Sequence, residues 1–198
     1  EQVRVQLTAT PRVGIHRYTY PAGEEERVIL DLGHGIYNYD GKVLWASIRV
    51  ENDTLLTGYR ITSGWARCHY TYFAIALSKP IHSYGYRDRK EANYRGFWRK
   101  FDLQHNFPEM AGRHPVAYFN FADDASHALT LRVALSAVST EGALRNLRAE
   151  TDGKTFEQLR DEARSVWDEA LSVLRCEGTA DQCHMLYTSL YHTMINPS

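Results

Sequence analysis

Up to about residue 138, apolar and polar positions alternate with a period of two. Val3, Val5 and Leu7 are separated by Arg4 and Gln6, and Val13 and Ile15 repeat the pattern beyond Pro11. Such alternation puts successive side chains on opposite faces of a strand. Val28-Ile29-Leu30 follows Glu24-Glu25-Glu26, which reads as an acidic turn. Val43 to Glu51 and Thr54 to Ser63 are two strand-like runs joined by Asn52-Asp53, a polar pair that signals a hairpin. Tyr70 to Leu77 is dense in β-formers and ends at Lys79-Pro80. Val116 to Phe121 and Ala128 to Ala137 predict a further pair, linked through Asp123-Asp124-Ala125-Ser126. The stretch His82 to Pro115, with Gly85, Gly96, Pro108, Gly112 and many charges, predicts a long excursion with one strand near Tyr94 to Leu103. Short strands with frequent turn residues predict a mainly β chain, an antiparallel β-sandwich. No alternation of strand and helix supports a parallel nucleotide-binding sheet.

After Val138 the period changes to about 3.6 residues, the repeat of an α-helix. Ser139-Thr140-Glu141 starts a helix running to about Ala149. Thr155-Phe156-Glu157-Gln158 has the form of a capping box, in which the Thr155 hydroxyl takes a free backbone N–H and Gln158 reaches back. Phe156, Leu159, Ala163, Val166, Trp167, Ala170, Val173 and Leu174 then lie along one face. Gly178 suits a left-handed helix end, and Thr179-Ala180-Asp181-Gln182 is a second capping box. Cys183, Leu186, Leu190 and Met194 share a face of the last helix, which Asn196-Pro197 stops. The pattern thus divides the chain into a β-sandwich at 1–138 and α-helices at 139–198. Their apolar stripes need cover, from the sandwich for one and from a further domain for the last.

Composition changes this picture little. The chain has 198 residues, 43% apolar and 24% charged, enough for one domain with a core. A formal net charge of −1 disfavours nucleic acid as a partner. No run of about 18 apolar residues exists to span a membrane. The opening Glu1-Gln2-Val3-Arg4 has neither Met nor leader and reads as a cut end inside a longer protein. Cys68, Cys176 and Cys183 form neither a zinc ribbon nor a disulfide framework. Buried free thiols are the expectation, although Cys176 and Cys183 flank a helix–helix turn and could pair in an oxidising compartment.

Candidate chemistry is sparse. Gly33-His34-Gly35 lacks the third glycine of a phosphate loop and reads as a turn. His105 and Glu109 stand four apart, but Pro108 opposes the helix a zinc-protease pair needs. Glu24-Glu25-Glu26, Asp123-Asp124 and Ser126-His127 sit in turns, where carboxylates accept local backbone bonds. Tyr84 to Lys100 interleaves basic and aromatic residues and could stack on sugars or single-stranded nucleic acid, and its basic part near Arg87 to Lys100 could bind a protein, but it reads as a solvated face. Asn52-Asp53-Thr54 matches a glycosylation sequon, relevant only in a eukaryotic secretory host. Trp65 is expected to pack at the sandwich. A coplanar row of exposed aromatics would favour an autonomous carbohydrate-binding module; buried Trp45, Trp65 and Trp98 would count against it.

Four segments resemble glycoside hydrolase family 92, the calcium-dependent exo-α-mannosidases. They are Leu7 to Tyr20; Gly58-Tyr59-Arg60 with Gly64-Trp65-Ala66, Tyr72-Phe73 and Ser78-Lys79-Pro80; Arg132 to Ser139 with Gly142-Ala143 and Asn146-Leu147; and Leu186 to Met194. The resemblance implies a sandwich of the galactose-mutarotase-like supersandwich type, with 139–198 as a helical linker to an absent (α/α)6 catalytic domain. It implies hydrolysis of terminal α-linked mannose with inversion, by an enzyme of the α-1,2-mannosidase kind. It places the catalytic acid, the base and most calcium contacts outside this chain. No catalytic or metal residue is therefore assigned here, and calcium is expected in the whole enzyme rather than on this piece. Tyr191 and His192, at the end nearest the barrel, are the substrate-proximal candidates, weighed against a role in helix packing. Expected partners are α-mannosides of N-glycan or mannan type and the protein's own catalytic domain. The expected setting is secreted, periplasmic or cell-surface in a bacterium. The piece alone is expected to be inactive, a scaffold and domain-interface region.

Overall fold

A computed structural model describes residues 2–35, 41–86, 101–104 and 107–195. The basic segment Arg87 to Lys100, with Trp98, and His105-Asn106 lie outside the described residues. Ten strands come first: β1 (Arg4–Ala9), β2 (Val13–Thr19), β3 (Glu26–Asp31), β4 (Val43–Asn52), β5 (Leu55–Thr62), β6 (His69–Leu77), β7 (Ile81–Tyr86), β8 (Glu109–Gly112), β9 (Val116–Phe121) and β10 (Ala128–Ser136). They form a seven-stranded sheet in the order β1-β2-β10-β6-β5-β4-β8 and a three-stranded sheet in the order β3-β9-β7. All described ladders are antiparallel. The sandwich is as expected, and Asn52 and Leu55 close the β4–β5 hairpin.

Three details depart from the sequence pattern. β9 and β10 do not pair: β9 is the middle strand of the small sheet, and Asp123 to Ser126 carries the chain across to the large one. β7 and β8 fall in the stretch expected to be irregular, while Phe101 to Gln104 is turn rather than strand. Glu26 opens β3 and is 1% exposed, so it is not part of an acidic surface turn.

Residues opposite one another in an antiparallel ladder share a face, so the register defines the core. Met110, Ile48, Gly58 and Phe73 form one row across four strands of the large sheet. Phe73 needs Gly58 there: a Cβ on residue 58 would come 2.1 Å from the Ser47 carbonyl oxygen and 2.5 Å from the Phe73 ring. Leu129 and Leu131 of β10 join Ala117, Phe119 and Phe121 of the small sheet in the same buried cluster. Phe101 packs into it with ring centroids 4.8 Å from Tyr84 and 6.4 Å from Phe119. Each such side chain taken from water contributes about 1.5–3 kcal/mol before conformational entropy is charged against it.

The outer face of the large sheet is also apolar where Val13, Ile15, Ala74 and Ala134 lie, at 1% exposure or less. Helix α1 (Thr140–Thr151) covers it with Ala143 and Leu147. The Ser139 hydroxyl caps α1 by accepting from the Gly142 N–H. Polar bonds then fix the helix to the sheet. Arg132 of β10 donates to the carbonyls of Thr151 and Lys154 at 3.0 and 2.6 Å. Glu150 accepts from Thr10 and from the Arg12 backbone and guanidinium. Gly153, with φ of 71°, is the left-handed residue beyond this helix. Gly178, expected in that role, is not among the positive-φ glycines.

Two compact units divide the chain, Glu1–Lys154 and Thr155–Ser198, so α1 belongs with the sandwich. In the second unit, α2 (Phe156–Leu171) and α3 (Ala180–Ile195) both begin with the expected capping boxes. Phe156 and Leu159 are buried; Val166 is 65% exposed, and α3 buries no residue. Ser172 caps α2, so Val173 and Leu174 lie beyond the helix rather than on its stripe. The two helices touch where Trp167 meets Tyr191, and the Tyr187 hydroxyl of α3 donates to the Leu174 carbonyl in the connection at 3.1 Å.

Candidate functional site

A dense cluster of charge lies where β3 begins, β6 hands over to β7, and the chain crosses from β9 to β10. Lys79 Nζ donates to both carboxylate oxygens of Glu26, at 3.0 and 2.7 Å, and lies 3.0 Å from Asp124. The Lys79 and Glu26 side chains are 9% and 0% exposed. Burial opposes the lysine charge, but hydrogen bonds to Glu26 and Asp124 outweigh it and hold its pKa above the ordinary value. The Ser126 hydroxyl, and then Lys79, draw the Asp124 pKa down to about 2. Asp123 meets His127 at 2.6 Å, and His127 takes φ of 46° at this crossing.

This cluster is built as a clamp rather than a reaction centre. Glycoside hydrolysis needs two carboxyl groups that a sugar can reach from both sides. Glu26 is sealed from any substrate and bound to an ammonium. Glu26, Asp123 and His127 could gather round a metal, with ligand atoms within 4.8 Å of one another. Calcium takes six to eight oxygens, whereas here one donor is a ring nitrogen and the Lys79 ammonium already supplies the cation. The donor set does not suit calcium.

A second feature faces solvent. On the outer face of the large sheet, beyond the part under α1, register aligns Ser47, Tyr59 and Tyr72 in one row and Trp45, Ile61 and Tyr70 in the next. Tyr70 and Tyr72 lie nearly parallel, 13° apart with centroids 6.2 Å apart, and Tyr59 leans on Tyr72 at 6.1 Å. Trp45 is 41% and Tyr70 44% exposed. Tyr70 also borders an open cavity of about 660 Å³, walled by Arg12, Thr71, Ser136, Arg145 and Asn146. Aromatic faces beside guanidinium and amide donors offer the contacts a pyranose ring uses, apolar on its C–H face and polar at its hydroxyls. Tyr70 and Tyr72 are visible in the sequence as an i, i+2 pair. Trp45 and Tyr59 join them only through the pairing of three strands, which the sequence does not spell out. Trp65, expected to pack, stands free at the bend between β5 and β6, with a relative exposure of 111%.

Tyr191 and His192 lie next to each other near the end of α3. The Tyr191 ring meets Trp167 edge-on at 4.7 Å, and the His192 ring lies 5.9 Å from Tyr191. The three cysteines are free, but none is buried: Cys68 is exposed, and Cys176 and Cys183 are half-buried.

The model of the glycosyl hydrolase family 92 N-terminal domain matches residues 1–136, and that of the family 92 catalytic domain matches residues 142–198. The interval between the matches falls where the two-residue period gives way to the helical one. Among solved structures, the chain is similar to the family GH92 alpha-mannosidase from Bacteroides thetaiotaomicron in complex with mannoimidazole. Identity is 28%, over 96% of this chain and 24% of that one, with a TM-score of 0.82. It is also similar to the family GH92 inverting mannosidase from Bacteroides thetaiotaomicron VPI-5482, at 28% identity over 96% and 24% of the two chains, with a TM-score of 0.76. A search of curated proteins found no match. The chain spans about a quarter of the length of these structures. With the N-terminal domain's match running the length of the sandwich, the chain belongs to glycosyl hydrolase family 92.

Proposed function

We propose that the whole protein is an inverting exo-α-mannosidase and that this chain supplies its scaffold and domain interface rather than its chemistry. The observation that carries the reading is the pair of consecutive family 92 matches on one chain, in the order N-terminal domain then catalytic domain. In the carboxylate cluster described above Glu26 is sealed under Lys79, and Asp123 and Asp124 are tied to His127 and Lys79, which is consistent with an acid and a base supplied from elsewhere. Inversion requires those two groups roughly 6.5–9.5 Å apart, with water between one of them and the sugar. The substrate class is terminal α-linked mannose of N-glycans or mannans, with the α-1,2 linkage as the first to test. Calcium belongs to the whole enzyme and would hold the sugar ring in a distorted shape. Tyr191 and His192 are proposed to face the sugar pocket once the (α/α)6 domain is in place. The setting is the outside of a bacterial cell or its periplasm.

A second reading, an autonomous carbohydrate-binding module, is favoured by the exposed Trp45 and by Tyr70, which borders the Arg145–Asn146 cavity. One experiment separates the two. Mannose release from α-linked mannobiosides is measured for this chain and for the longer protein, with calcium and with chelator. Chelator-sensitive release by the longer protein alone is expected. Release by this chain would overturn the scaffold reading. Silence from both, with retention of this chain on immobilised mannan that Tyr70→Ala abolishes, would favour the binding module.

A further inference from the structure

Cys176 lies in the connection between α2 and α3, and Cys183 lies in the opening turns of α3. The Thr179–Gln182 capping box and the bond from the Cys183 N–H to the Thr179 carbonyl, 3.0 Å, fix where the Cys183 side chain leaves the helix. That direction is toward Cys176: Cys183 Sγ lies 3.7 Å from the Cys176 carbonyl oxygen. The neighbouring Cys183 thiol is also the first cause that raises the Cys176 pKa above its ordinary value. A disulfide needs the two sulfurs to close to roughly 2.05 Å, and Cys183 Sγ already lies against the Cys176 backbone. Both side chains are half-buried, so a small disulfide can reach them.

We propose that Cys176 and Cys183 form a disulfide across the α2–α3 turn when the protein meets a low-molecular-weight disulfide such as oxidised glutathione. One cysteine, as its thiolate, attacks a glutathione sulfur, forms a mixed disulfide and releases one glutathione thiolate. The second cysteine loses its proton and attacks the protein-side sulfur, expelling the other glutathione. The protein loses two protons and two electrons, which one glutathione disulfide takes up to become two glutathiones. The bond ties the connection after α2 to the opening turns of α3, beside the contacts of Trp167 with Tyr191 and of the Tyr187 hydroxyl with the Leu174 carbonyl. Cys68 is exposed and far along the chain in the other unit, so it serves as an internal control.

The test treats the full chain with oxidised glutathione and reads intact mass, then unreduced peptide maps. The expected result is a loss of about two mass units, a peptide linking Cys176 to Cys183, and any glutathione adduct confined to Cys68. Cys183→Ser is expected to keep a glutathione adduct on Cys176, because the resolving thiol is gone. Amide hydrogen exchange at the start of α3 should slow on oxidation in the unmutated chain. Stable adducts on both cysteines, bonding of either to Cys68, or no reaction at Cys176 and Cys183 would each overturn the proposal.

Discussion

In the unit Glu1–Lys154, Ile15, Ile48, Phe119 and Leu129 are at 1% exposure or less, whereas the described residues of α2 and α3 bury only Phe156 and Leu159. The sandwich is held by contacts between residues far apart in sequence. The helix pair relies instead mostly on bonds made within a few residues, two capping boxes and an i, i+4 charge pair at Arg164–Asp168, with the Trp167–Tyr191 contact joining the two helices. Non-local packing tolerates a poor local signal, as β8 shows. Local capping is legible in sequence but is worth only about 1 kcal/mol per cap.

Mutations at the two ends of this contrast should differ several-fold. Phe119→Ala empties the middle of the core and is expected to cost about 3–5 kcal/mol, read from the midpoint of urea unfolding. A loss below about 1 kcal/mol would mean the two sheets do not pack as described. Lys79→Met strands Glu26 without its cation and is expected to cost about 3–5 kcal/mol, with much of the loss recovered when Glu26→Leu is added. A double variant no better than the single would show that the clamp is not the cause. Thr155→Ala should cost about 1 kcal/mol, seen as faster amide exchange in the first turn of α2 with the strands unchanged. Asp124 gives the smallest effect. Its folded pKa of about 2 lies below the ordinary 3.8, so its contribution is complete above about pH 4 and fades as the pH falls toward 2. Asp124→Asn should remove that part of the acid dependence; an unchanged acid profile would show that Asp124 plays no part in it.

The fold was legible wherever alternation survived. Val13 and Ile15, Tyr70 to Leu77, and Ala128 to Ser136 are strands because period-two patterns leave little choice. The ends of α1, α2 and α3 were visible in Ser139, Thr155 and Thr179. What escaped was non-local. Asp123 to Ser126 looks like a hairpin turn, yet β10 finds better partners in β2 and β6 than in its neighbour β9. Glu26 looks like the end of an acidic turn until Lys79, 53 residues later, meets it in the interior. Glu109 to Gly112 is too short to carry a pattern and is a strand because β4 offers an edge. For the candidate site, family resemblance pointed to Tyr191 and His192, but the aromatic face of Trp45, Tyr59, Tyr70 and Tyr72 needed the register of three strands.

The ladder between β2 and β10 has a consequence for the order of assembly. Thr19 pairs with Ala128 and Val13 with Ala134, so an early strand of the large sheet waits for the last one. On a ribosome, β1 and β2 emerge long before β10, so β2 lacks one of its two ladder partners until then, and a two-stranded ribbon is marginal alone. Val13 and Ile15 of β2, buried in the folded chain, stay open until β10 and α1 arrive. Synthesis therefore passes through a prolonged interval in which the nascent chain presents unpaired strand edges, the state most prone to aggregate. Slower elongation between the codons for β2 and β10 would lengthen that interval, and a holding chaperone would matter most there.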